Sequence, residues 1–136
     1  MHTLARPALM LVLLAAAALL GACATPPPPP APATGLSEVM ERPAERALLD
    51  GIRAYDDGQY AQAEKALRQA LAEGLPSARD RATAHKLLAF ITCTSDRLAD
   101  CRTQFREARA ADAGFALSRS EAGHPVWGPV YRSLSQ

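Results

Sequence analysis

The sequence predicts an all-α fold: two antiparallel helix pairs and a short C-terminal capping helix, preceded by a signal peptide and a Pro-rich tether. Three observations predict it. Of 136 residues, 49% are apolar but only 5% aromatic, so the apolar content is mostly Ala and Leu, which form helices well and strands poorly. From Pro43 onward apolar residues recur at spacings of three and four, the helical period. Part of that pattern then returns 38 residues later. A chain of this size holds one small domain, and the composition disfavours a β-sandwich or barrel. Lys plus Arg number 15 against 14 Asp plus Glu. Loss of the first 22 residues removes Arg6 and leaves the two signs equal, which argues against a nucleic-acid partner.

Residues 1–7 carry Arg6 as their one fixed side-chain charge, and an unbroken run of thirteen apolar residues follows at 8–20. Thirteen is too few to span a bilayer comfortably. The run ends in Leu20-Gly21-Ala22-Cys23, which completes the charged, apolar and small-residue pattern of an export signal. These four residues resemble the lipobox of bacterial lipoproteins. The resemblance implies cleavage after residue 22, lipidation of the Cys23 thiol and acylation of the new amino terminus. An ordinary cleaved signal with an incidental cysteine is the plainer alternative. Ala24 in place of Asp after the cysteine implies, by likeness to enteric-type lipoproteins, transfer to the periplasmic face of the outer membrane. One acyl chain alone binds a membrane marginally, at about 0.8 kcal/mol per buried methylene; two or three chains would hold the protein there.

Five consecutive prolines and Pro32 dominate residues 24–34. Such a stretch favours polyproline II at about 3.1 Å per residue, a reach of roughly 30–35 Å from the anchor. The expected divisions are a signal peptide at 1–22, a lipidated cysteine and tether at 23–42, and a helical domain at 43–134.

Pro43 suits a first helical position, and Leu48, Ile52 and Tyr55 share one face up to Asp57 and Gly58. Tyr60, Ala63, Leu67, Ala70 and Leu71 make a second face, closed by Gly74 with Pro76 beyond it. Ser77-Ala78-Arg79-Asp80 reads as a capping-box-like start. Ala84, Leu87, Leu88 and Ile91 follow as an apolar stripe. After a break at 94–97, Leu98, Cys101, Phe105 and Ala108 form a fourth face that stops near Asp112-Ala113-Gly114. Pro125 is placed to open a short helix in which Trp127, Val130 and Tyr131 seal the end of the stack. The lone Trp is expected to be largely buried there, with ligand stacking as its functional alternative.

Shifting Gly58, Tyr60, Ala63, Leu67 and Ala70 by 38 residues lands on Asp96, Leu98, Cys101, Phe105 and Ala108. A repeat of that period points to stacked helix pairs. The register resembles the tetratricopeptide repeat, in whose second helix small residues let the axes approach. Tyr60, Leu67, Leu98 and Phe105 would fill the remaining space. Tyr55, His85 and Ala113 depart from that repeat's usual aromatic, Trp and Pro positions. A generic helical hairpin with the same spacings is equally all-α. A repeat array needs a cap over its last apolar face, and the segment from Phe115 to Tyr131 is expected to supply it.

Cys93 and Cys101 lie four residues either side of Arg97. On antiparallel helices joined by a turn there, they sit at matching heights, as a disulfide requires, and the periplasm oxidises such pairs. Closing so short a loop is worth about 2.5 kcal/mol. Two buried free thiols are the alternative, and a metal site with His85 or His124 a weaker one, because neither forms a zinc spacing with the pair. The paired acids Asp56-Asp57 and Asp96 with Asp100 read as solvated turns. No nucleophile elbow or phosphate-cradling loop occurs, so no catalytic residue, cofactor, metal or small-molecule substrate is expected. Arg46 and Arg53 share a helical face two turns apart and are candidates to grip a partner's carboxylate.

Three further stretches carry a family likeness: His85-Lys86-Leu87-Leu88-Ala89-Phe90-Ile91 with Cys93 and Cys101, Phe105-Arg106-Glu107-Ala108, and His124-Pro125-Val126-Trp127-Gly128-Pro129 with Val130 and Tyr131. With the lipobox and the Pro-rich spacer, these resemble the small tetratricopeptide-type lipoproteins associated with type VI secretion systems, the TssQ group. The likeness runs from about residue 45 to 132. It implies an outer-membrane-anchored adaptor, accessory to the secretion system, whose activity is binding and whose partners are membrane-complex subunits. A general envelope-assembly lipoprotein with the same fold is the alternative.

Overall fold

The computed structural model describes residues 42–134. The signal peptide, Cys23 and the Pro-rich tether lie outside the described residues. Six helices follow in order: α1 Pro43–Asp56, α2 Tyr60–Glu73, α3 Ala78–Thr94, α4 Leu98–Ala111, α5 Arg119–Ala122 and α6 Trp127–Ser133. Among the described residues there is no strand, and no helix is long and apolar enough to cross a membrane. α1 packs mainly on α2, and α3 on α4. The two pairs meet through α2 and α3, with α1 touching α3, and α6 closes the far end against α3 and α4.

The hairpin turns of the two pairs are built alike. In the first, Gly58 takes φ +72°; its N–H donates to the Tyr55 carbonyl and the Gln59 N–H to the Ala54 carbonyl, at 3.0 and 2.8 Å. In the second, Asp96 takes φ +59°, and the N–H groups of Asp96 and Arg97 donate to Cys93 and Thr92 at 3.3 and 2.9 Å. Both are Schellman motifs, which end a helix on a left-handed residue and satisfy its last carbonyls. Each atom pair of one turn lies 38 residues from its counterpart in the other, so the sequence repeat is a structural repeat.

The same step organises the core. Ala63, Leu67 and Ala70 of α2 are fully buried, and so are Cys101, Phe105 and Ala108 of α4. Gly51 of α1 presses its backbone against Leu67, where a Cβ would lie 2.8 Å from the Leu67 side chain. Ala89, its counterpart in α3, is likewise fully buried. Small residues at these positions let the paired axes come close.

α3 is the central rod. It buries Ala84, Leu87, Leu88 and Ile91 on one face and Ala82, Ala89, Phe90 and Cys93 on the other, as expected for a helix enclosed by neighbours. α1 buries only Ala44, Ala47, Leu48 and Gly51. Its counterparts to the first α3 face are Arg46, Leu49, Asp50 and Arg53, all exposed. The end of the stack thus carries charge at three of the four positions where the next pair has core residues, Leu49 being the fourth, an arrangement expected of a terminal repeat.

Several expectations need correction. Tyr60 and Leu98 do not fill the core; they are 50% and 43% exposed. Each opens the second helix of its pair beyond the point where the first helix has ended, so no partner covers it. Tyr60 meets only the edge of Tyr55, centroids 5.5 Å apart. The C-terminal cap is two short helices instead of one, and it starts at a capping box: the Ser118 hydroxyl accepts from the Glu121 N–H and the Glu121 carboxylate from the Ser118 N–H. At the start of α3, Ser77 accepts from the Asp80 N–H at 3.2 Å, a one-sided cap. Pro125 lies in the turn ahead of α6, which begins at Trp127.

Trp127 packs against the core, with only part of its surface left exposed. Its ring stacks on Phe90 at 4.2 Å and is covered on its other face by His124 at 3.3 Å. Its indole N–H donates to the Glu121 carbonyl at 2.9 Å. Tyr131 meets Phe105 edge-on at 5.2 Å, with the Arg109 guanidinium 4.7 Å from its ring. Gly128 lets α6 lie against α5, because a Cβ there would stand 2.5 Å from the Ala122 carbonyl oxygen.

Candidate functional site

Among the clefts on the described surface, two are related by the 38-residue step; a third, of about 500 Å³, adjoins the first of these and shares Arg42, Glu45 and Pro76 with it. The first, of about 370 Å³, is floored by Leu48, Leu49 and Ile52 of α1 and bounded by Glu45, Pro76 and Asp80. The second, of about 400 Å³, is lined by Arg79, Thr83 and Lys86 of α3 and by Asp112, Gly114 and Phe115. Glu45 corresponds to Thr83, Leu48 to Lys86 and Pro76 to Gly114. Each cleft therefore lies between the first helix of a pair and the chain that leaves its second helix, and the two follow one another along the stack.

Their chemistry differs. The first has an apolar floor, with Leu49 37% exposed. Its acids are Glu45, which pairs with Arg42 at 3.5 Å, and Asp80. The second is polar. Lys86 pairs with Glu121 at 2.6 Å, and the Asp112 carboxylate accepts from the Gly114 N–H at 2.9 Å. Arg79 makes no ion pair among the described residues. Burial raises the Glu121 carboxyl, but hydrogen bonds from Lys86 and Ser118 outweigh it and the net direction is down. Burial also pushes the Tyr55 phenol up, helped by nearby Tyr60, Asp56 and Glu121.

Glu64 ties the two helix pairs together. Its carboxylate accepts from both terminal nitrogens of Arg97, at 2.9 and 2.6 Å, and from Arg68 at 2.7 and 3.1 Å. Bidentate guanidinium–carboxylate geometry is the strong form of such a pair. The Arg97 hydrogen bond first, with Arg68 in support, holds the Glu64 carboxyl down at about 2, against a smaller opposing effect of burial.

The sequence-predicted residues fall in separate places. Cys93, near the end of α3, and Cys101, in the first turn of α4, are joined by a disulfide with Cα atoms 5.1 Å apart, and both are buried. Arg46 and Arg53 lie on the exposed end face of α1, where Arg53 stands 3.8 Å from Asp50. They line neither cleft. His85 shares a hydrogen bond with Gln104 across the α3–α4 contact at 2.8 Å, and His124 belongs to the Trp127 stack. Among the described residues no three His, Cys, Asp or Glu side chains converge as metal ligands.

Sequence reasoning missed the clefts and Glu64. Each depends on residues about thirty positions apart, and only the repeat correspondence, applied to exposed positions, could have pointed to the clefts. No family model, curated protein or solved structure matches the chain.

Proposed function

We propose that this chain is an adaptor lipoprotein, anchored by lipid at Cys23 to the periplasmic face of the outer membrane, that holds another envelope protein on a tetratricopeptide-like helical stack. Its activity is binding and not catalysis. The observation that carries the reading is the pair of repeat-related clefts, which present two different recognition surfaces in fixed order on a braced scaffold. The Leu20-Gly21-Ala22-Cys23 motif and the prolines after it supply the attachment and the reach. The resemblance to secretion-associated lipoproteins makes subunits of a type VI membrane complex the first partners to seek.

In-cell crosslinking of the full chain, followed by mass spectrometry, tests it. Recovery of those subunits supports the reading; recovery of only barrel-assembly or cell-wall proteins replaces it with a general envelope-assembly role. Cys23→Ser releases the protein from membrane pellets, and its continued sedimentation with outer membranes refutes the anchor.

A further inference from the structure

We infer that the two clefts together hold one extended peptide segment of the partner, with an apolar side chain in the first cleft and an Asp or Glu side chain about three residues away against Arg79 in the second. The inference rests on the adaptor reading and specifies its ligand. Both clefts border the start of α3, where the neighbouring residues Asp80 and Arg79 face one cleft each. Helices in contact lie about 8–10 Å apart, and three residues of extended chain cover that distance at about 3.3 Å each.

Charge complementarity fixes the ligand's chemistry. In the second cleft Lys86 is committed to Glu121 and Asp112 to its own turn, which leaves Arg79 as the cation without an ion pair among the described residues. A carboxylate that reaches it forms a charge-assisted hydrogen bond. In the first cleft the Leu48, Leu49 and Ile52 floor accepts an aliphatic side chain; Arg42 and Glu45 at its border are paired with each other, and Asp80, which makes no ion pair among the described residues, repels an acid placed there. The order of the two side-chain types is therefore set by attraction at one cleft and repulsion at the other, the combination that yields specificity.

The test is to pan a display library of random eight-residue peptides against the full chain, the Leu49→Arg chain and the Arg79→Glu chain. Both substituted residues are exposed, so the fold tolerates the changes, and circular dichroism checks that it does. The expected result is enrichment of peptides with an aliphatic residue three positions from an acid. These bind the Leu49→Arg chain about tenfold more weakly or worse, and the Arg79→Glu chain selects Lys or Arg where the parent selects an acid. Failure to enrich any motif, or enriched peptides that bind all three chains alike, overturns the inference. Crosslinking separates this from the adaptor reading. If the envelope partner is recovered equally by all three chains, the adaptor stands and the clefts are not its site; if peptides bind as described but no envelope partner is recovered, the clefts stand and the adaptor falls.

Discussion

Replacing Glu64 with Gln removes the charge that joins the two helix pairs while keeping the side chain's shape. The carboxylate receives four hydrogen bonds from Arg97 and Arg68 and is held at about 2 instead of 4.5. Unscreened, that difference would be worth about 3 kcal/mol to the fold. Arg97 and Arg68 are 39% and 48% exposed, so solvent reduces it, and about 1–2 kcal/mol is the expected cost at pH 7. For a domain of this size that lowers the melting temperature by roughly 4–15 °C.

The pH dependence gives the sharper check. The folded carboxyl titrates below the unfolded one, so its contribution is complete above about pH 5 and drains away as pH falls from 4.5 toward 2. Urea unfolding of the parent and Glu64→Gln chains, followed by circular dichroism, should show a gap at pH 3 less than about half the gap at pH 7. Equal gaps at the two pH values, or a pH 7 gap below about 0.3 kcal/mol, would refute the account of Glu64 as the tie between pairs. Arg97→Met in a double-mutant cycle with Glu64→Gln should return a coupling of about 1 kcal/mol.

Asp96 occupies a left-handed position that its counterpart fills with glycine. Asp96→Gly should raise unfolding stability by about 0.5–1 kcal/mol, and Gly58→Ala should lower it by about 1 kcal/mol although nothing lies within 4 Å of the new Cβ. Replacing both Cys93 and Cys101 with Ala should cost about 2.5 kcal/mol from loop entropy, read in urea; full alkylation of both thiols in the denatured chain without reductant would dispose of the bridge. Arg46→Ala, Asp50→Leu and Arg53→Ile together give α1 the face that α3 buries. That triple variant should self-associate on size-exclusion chromatography with light scattering, and an unchanged mass would count against the repeat correspondence.

The helices were legible because each carries its own punctuation. Pro43 opens α1, Gly58 and Gly74 stand at left-handed positions, and the stripes between them face inward. The disulfide partners were legible for the same local reason, being eight residues apart across one hairpin turn. Tyr60 and Leu98 fit the period equally well and were misplaced, because periodicity records a helix face but not whether the facing helix extends that far. The Ser118 and Glu121 capping box is a four-residue signal, weaker than the aromatic pattern that follows it. Arg97 and Glu64 are 33 residues apart, and Lys86 and Glu121 35; pairs this distant leave no periodic trace in a single chain.

The two ends of the stack meet one demand by opposite means, and this bears on where a partner docks. At the C-terminal end Phe90 and Phe105 are covered by Trp127 and Tyr131, so that end is closed by aromatic packing. At the other end the backbone positions that bury Ala84, Leu88 and Ile91 in α3 hold Arg46, Asp50 and Arg53 in α1. Those two arginines have a sufficient explanation in solvating an end face, and Arg53 has Asp50 nearby. Beside that face, Leu48, Leu49 and Ile52 stay together at the floor of the first cleft, inside a border that carries Arg42, Glu45 and Asp80. The counterparts of the three floor residues are Lys86, Leu87 and Phe90, of which Lys86 alone lines the second cleft. Under the adaptor reading the exposed apolar floor, more than the Arg46–Arg53 face, is therefore where a partner is expected to dock.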